Sequence, residues 1–160
     1  MTTITASVVN KLRQMTGAGM MDCKKALQEA EGDIDAAIDI LRKSGAAKAA
    51  KRADRDAAEG LSIAKSSADN TYGIVVEVNC ETDFVAKNDD FVAFANKIAE
   101  IALDQKFADR DALLATPFDG KTLGEILIDK TAVIGEKIDV SNYALVSSEG
   151  VAATTTGQTV

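Results

Sequence analysis

Val76-Glu-Val-Asn-Cys-Glu-Thr-Asp-Phe-Val-Ala-Lys-Asn88 changes period halfway along, and with it the structure it specifies. Up to Asn79 the residues alternate. Ile74, Val76 and Val78 point one way, and Val75, Glu77 and Asn79 the other, which is the period-two signature of a strand. The alternation stops at Cys80-Glu81. Thr82-Asp83 then reads as the opening of a helical turn, with Thr82 placed to cap it. Phe84 follows at once, so an aromatic and a carboxylate sit side by side at a strand-to-helix corner, where side chains point outward from a rigid sheet. On the local pattern alone, Phe84 plugs the neighbouring core and Asp83 is a solvated first-turn acid.

Working outward, Glu59–Lys65 reads as a strand, and Ser66-Ser-Ala-Asp-Asn70 is turn chemistry. With Thr71–Asn79 as the second strand, the pair makes a hairpin. After the corner, Asn88-Asp-Asp90 caps a long helix whose apolar positions Phe91, Phe94, Ala95, Ile98, Ile101 and Ala102 recur at helical spacing and pack on the sheet. Asp109–Ala115 is a short helix stopped before Pro117. Leu123, Ile126, Leu127 and Val133 mark another, ending at Ile134-Gly135. Tyr143–Ser147 is a third strand, and Gly150–Val160 an unpacked tail.

Toward the N-terminus the pattern is purely helical. Thr5 or Ser7 caps a helix carrying Val8, Val9, Leu12 and Met15, and Thr16-Gly-Ala-Gly19 breaks it. Asp22 starts a second helix with Cys23, Ala26, Leu27 and Ala30 on one face, ended by Gly32. Asp33 caps a third, with Ile34, Ala37, Ile38 and Leu41 inward, ended by Gly45. Three short helices with short turns make a compact bundle. Met20-Met21 falls in the turn before the second helix. Neighbouring side chains lie about 100° apart on a helix, so one of the two is left exposed. The alternative is that both fill gaps in a small core. The fold class is therefore α+β: a three-helix bundle over residues 1–54, then an antiparallel three-stranded sheet with helices on one face over 55–149, then a flexible tail over 150–160.

The 160 residues carry a net charge of −7 and only 4 % aromatics, with no Trp and no His. An acidic chain is a poor general binder of nucleic acid. Residues 1–60 hold 10 basic and 9 acidic side chains and the remainder 8 and 16, so a near-neutral part joins an acidic one. Without His, and with Cys23 and Cys80 far apart, most zinc sites, Cys–His nucleophiles and Ser–His–Asp triads are excluded. No phosphate-cradling glycine motif and no spaced calcium loop is present. The chain is read as a binding protein rather than an enzyme, with no cofactor and no metal. The N-terminus lacks the charged and apolar regions of a leader, and no stretch is long enough to span a bilayer, so the expected location is cytoplasmic. Arg42–Arg55 holds six basic residues against Asp54 alone, but no aromatic to stack a base, and reads as a solvated helical connector rather than an RNA patch.

Glu77-Val-Asn-Cys-Glu-Thr-Asp-Phe-Val-Ala-Lys87 resembles a signature of bacterial elongation factor Ts, and Leu12-Arg-Gln-Met-Thr-Gly-Ala-Gly-Met-Met-Asp-Cys-Lys-Lys-Ala-Leu27 resembles another, in the family's order. The resemblance is clear from Ile4 to about Asn88 and continues more weakly to about Ile138. It implies a ubiquitin-associated-like (UBA-like) bundle, a first core subdomain, and guanine-nucleotide exchange on elongation factor Tu, bound both with GDP and nucleotide-free. It also implies roles. Asp83-Phe84 would push between two helices near the partner's Mg²⁺, with Phe84 as apolar wedge and Asp83 its polar partner. Thr82 and Val85 would hold the corner. Arg13, Met20, Met21, Lys24, Ile134 and Gly135 would face the partner's GTPase domain. Neither nucleic acid nor membrane is implied as a partner. Typical members are longer, with a second core subdomain that would begin where this chain stops. The competing expectation is a UBA-like helical interaction module without exchange activity.

Overall fold

A computed structural model describes residues 3–147 and 157–159. The chain divides into two compact units: one runs to Asp54 and includes Ile128–Gly135, the other takes Arg55–Leu127 and the residues from Glu136 onward.

The first unit holds α1 (Ala6–Thr16), α2 (Met20–Glu29) and α3 (Ile34–Arg52). Thr5 caps α1 by accepting from the Val8 amide, and Asp33 caps α3 by accepting from Ala36 at 2.9 Å. Leu12, Cys23, Leu27 and Ala37 are fully buried between them. Two expectations are corrected here. The second helix begins at Met20, with Gly19 as its N-cap, and not at Asp22. Gly45 does not end the third helix, which runs seven residues further. The Ala- and Lys-rich stretch after Gly45 has high helix propensity and carries the helix through. A Cβ at Gly45 would lie 3.2 Å from the Ala132 side chain of the same unit, so this glycine serves close packing rather than termination.

The second unit is built on β2 (Tyr72–Cys80), flanked by β1 (Glu59–Ser66) and β5 (Asp139–Ser147), all antiparallel. Ile74, Val76 and Val78 face one side with Leu61 and Ile63 of β1, and all five are buried. Helix α5 (Asp89–Gln105), capped by Asn88, lays Phe91, Phe94, Ala95, Ile98 and Ala102 on that face. The predicted three-stranded sheet with helices on one face is thus the observed one, with one addition. A short strand β6 (Gly157–Thr159) pairs with β1, so this part of the expected tail forms an edge; residues 148–156 and 160 lie outside the described residues.

The third predicted strand starts at Asp139, four residues before the expected Tyr143. A β-bulge between Glu77 and Val78 puts Val140 opposite Val78 but Asn142 opposite Glu77. The inward positions of β5 therefore jump from Val140 to Tyr143, which breaks the period of two and hides the strand's beginning. Asp119-Gly120, both at positive φ, turn a small hairpin of β3 (Pro117–Phe118) and β4 (Lys121–Thr122) that the sequence reading left out. Between α5 and that hairpin lies α6 (Arg110–Leu114), capped by Asp109. Thr122 and Glu125 form a reciprocal capping box at the start of α7 (Leu123–Ile134). Among the described residues no helix is long and apolar enough to cross a membrane.

Candidate functional site

The site is built on the end of β2. Strand pairing holds the chain through Cys80, whose buried thiol donates to the Thr82 carbonyl at 3.2 Å. Helix α4 (Asp83–Ala86) follows, with Thr82 as N-cap accepting from the Val85 amide. Ala86 is buried and anchors the turn from beneath, while Val85 is partly covered. Phe84 is 84 % exposed. The reading of Phe84 as a plug in the local core is overturned: the four-residue helix buries its Ala86 side and leaves the ring in water.

Asp83 is a first-turn acid, as expected, but it is not free. The Lys87 ammonium lies 2.9 Å from its carboxylate, one helical turn on. That hydrogen bond and charge hold the Asp83 carboxyl below its ordinary pKa and raise that of Lys87. Both groups are therefore charged at neutral pH, and the pair is lost as acid protonates Asp83 below the usual carboxylate range.

Two carboxylates fasten the corner. Glu136 accepts from the Glu81 amide at 3.1 Å and the Thr82 amide at 3.0 Å, and from the Thr82 hydroxyl at 2.7 Å. In return the Glu81 carboxylate accepts from the Lys137 amide at 2.7 Å and from Arg55 at 3.0 Å. The sequence reading missed both acids. Local pattern gives neither a role, because Glu136 and Glu81 bind across 54–56 residues of chain and Arg55 lies 26 residues before Glu81.

Burial first, and the Glu136 charge second, push the Cys80 thiol from 9.0 up to about 11. The unfolded chain loses this proton first, so stability is unaffected by Cys80 below pH 9 and falls as pH rises from 9 toward 11. Urea denaturation across that range should show the fall, and Cys80→Ala should reduce it. An equal fall in both proteins would contradict the assignment.

In the first unit, Gly17 adopts a left-handed conformation at φ 68° and closes α1 by donating to Arg13 O at 2.8 Å. Thr16 ties the turn, donating to Leu12 O and accepting from Ala18 N. Met20 and Met21 are 48 % and 64 % exposed. They occupy the first turn of α2, not the turn before it, and both are exposed rather than one. Met20, Met21 and Lys24 are all exposed, with Met20 and Lys24 one turn apart, while Cys23, Ala26 and Leu27 are the buried residues of the helix. Arg13 and Lys24 are exposed. Ile134 ends α7 and Gly135 follows it at φ 80°. Val133, half exposed, lies against Gly17, so the end of α7 flanks the turn that precedes the methionines. Six of the residues singled out (Arg13, Met20, Met21, Lys24, Ile134 and Gly135) thus belong to the first unit, and Thr82–Val85 to the second. Of the basic connector, Lys48 is paired with Asp22 at 2.8 Å and Arg55 with Glu81.

The family model described as elongation factor TS matches residues 81–155. An elongation factor Ts of Christiangramia forsetii is 55 % identical over 89 % of this chain and 52 % of its own length. One from Flavobacterium johnsoniae is 53 % identical over 91 % and 45 %, and one from Flavobacterium psychrophilum 52 % identical over 89 % and 52 %. The chain spans about half the length of the curated relatives it matches. The exposed corner falls within both the family match and the aligned part of these relatives, so over most of its length this chain is similar to elongation factor Ts.

Proposed function

We propose that this chain is a cytoplasmic guanine-nucleotide exchange factor of translation elongation, which binds elongation factor Tu carrying GDP, displaces its Mg²⁺ and promotes GDP release. The observation that carries the reading is Phe84, an aromatic ring held in water by a fastened corner. Burying such a ring is worth about 1.5–3 kcal/mol. If the ring finds a pocket only in the open form of the partner, that energy becomes a difference between two states. Each 1.4 kcal/mol of difference is tenfold in nucleotide affinity. Asp83 supplies a fixed negative charge beside the ring. Met20 and Met21, flexible and exposed, fit a GTPase-domain contact together with Arg13, Lys24, Ile134 and Gly135. A GTPase holds its nucleotide through phosphate-loop amides, a Lys and Mg²⁺, so a wedge near the ion weakens several contacts at once.

Linkage makes this testable without kinetics. A factor that weakens GDP binding must itself bind GDP-loaded partner more weakly, by the same ratio. Titration of the chain against nucleotide-free and GDP-loaded elongation factor Tu should give tighter binding to the nucleotide-free form, roughly 10-fold or more. Equal affinity for the two forms would rule out exchange by this route. The exposure of both methionines favours a second reading, a UBA-like interaction module. On that reading binding is lost in Met20→Ala/Met21→Ala and is indifferent to Phe84.

A further inference from the structure

The geometry points to Glu136 as the positioning residue of the wedge: its carboxylate sets the backbone at Glu81–Thr82 so that Phe84 is held ready for insertion. This deepens the exchange reading and rests on it. An exposed ring with no packing of its own is directed only by the backbone that carries it. That backbone is a four-residue helix, too short to be stable alone. Its anchors are therefore external. Ala86 fixes its far side. On its near side, the two residues preceding it give both amides and a hydroxyl to one carboxylate. The Thr82 hydroxyl is used twice, donating to Glu136 Oε2 and accepting from the first-turn amide of Val85. Glu136 thus reaches the helix N-cap through the residue that makes it. The clasp is closed from the other side by Glu81 on the Lys137 amide, so neither strand of chain can slide past the other without breaking charge-assisted bonds. A binding element preorganised in this way loses less conformational entropy on docking.

The test uses the full chain with Glu136→Ala, Glu136→Gln, Phe84→Ala and the Phe84→Ala/Glu136→Ala pair. Two readouts are taken: fluorescent GDP release from elongation factor Tu, and amide hydrogen exchange of the chain alone. Glu136→Ala should slow release roughly 10- to 100-fold, the cost of a misplaced group. Glu136→Gln should recover most of it, because the amide oxygen can accept both N–H groups while its NH₂ donates to Thr82 Oγ1. The double variant should be no slower than Phe84→Ala alone. In the isolated chain, Glu136→Ala should speed exchange of the Phe84 and Val85 amides and leave those of β2 protected. Wild-type release by Glu136→Ala, or an additive double variant, would overturn the proposal. Should the wild type itself fail to release GDP, the exchange reading falls. Amide exchange then judges the clasp alone, and unchanged protection at Phe84 and Val85 in both Glu136 variants would refute it. If the alanine variant does not fold, Glu136→Asp, whose carboxylate is one methylene too short to reach both amides and the Thr82 hydroxyl, carries the test with the same expected slowing.

Discussion

Phe84→Ala should abolish most exchange activity while leaving the fold at full stability. The ring is 84 % exposed, so removing it deletes almost no intramolecular contact, and surface changes of this kind stay within about 0.5 kcal/mol. The same ring supplies the largest apolar area of the corner to a partner. Loss of about 1.5–3 kcal/mol of burial corresponds to roughly 10- to 150-fold slower release. The backbone amides that Glu136 holds lie before Phe84 and remain in place, so the deficit should appear without local unfolding. Thermal denaturation together with release kinetics separates the two effects. A variant that is fully active contradicts the wedge. One that is inactive but also unfolded would show that Phe84 is structural after all.

The largest effect on stability is expected from Gly60→Ala. Gly60 has φ 144°, a region that L residues rarely adopt, and a Cβ there would lie 2.1 Å from the Val78 carbonyl oxygen and 2.8 Å from Asn79 Cα. Both are backbone atoms of the central strand, and Gly60 pairs directly with Asn79, so neither can step aside cheaply. Strain and overpacking each cost about 1–3 kcal/mol, and together about 3 kcal/mol or more. That is a large share of the roughly 5–15 kcal/mol that holds an ordinary domain. The damage would fall next to the corner, because Asn79 and Cys80 are the last residues before it. Equilibrium unfolding in urea measures the loss. A change under about 1 kcal/mol would mean that the paired strands relax readily at this point.

The sheet and its helical layer were legible because their signals are local. Ile74, Val76 and Val78 alternate, and Phe91, Phe94, Ala95 and Ile98 repeat at helical spacing. Thr82 was legible as a cap for the same reason. Three local rules misled. Gly45 reads as a stop only if its neighbours do not outweigh it, and the alanines and lysines after it do. The start of β5 was hidden by a bulge at Ser141 within the strand itself, which breaks its period of two. Phe84 reads as core because large aromatics are mostly inside; on so short a helix, with Ala86 occupying the buried side, the rule inverts. Within the candidate site the Asp83–Lys87 pair was readable from its spacing of four. The clasp of Glu81 and Glu136 was not, since it depends on tertiary proximity of residues 55 apart in the chain.

The central claim is that a ring held rigidly at the end of β2 opens a nucleotide site in a partner. Its most direct measurement is the rate of fluorescent GDP release from elongation factor Tu in the presence of Mg²⁺, with no factor, with this chain, and with Phe84→Ala. Faster release with the chain alone, approaching the factor-free rate on loss of the ring, is the result predicted. Binding of the chain without any acceleration, or acceleration that survives in Phe84→Ala, would contradict it.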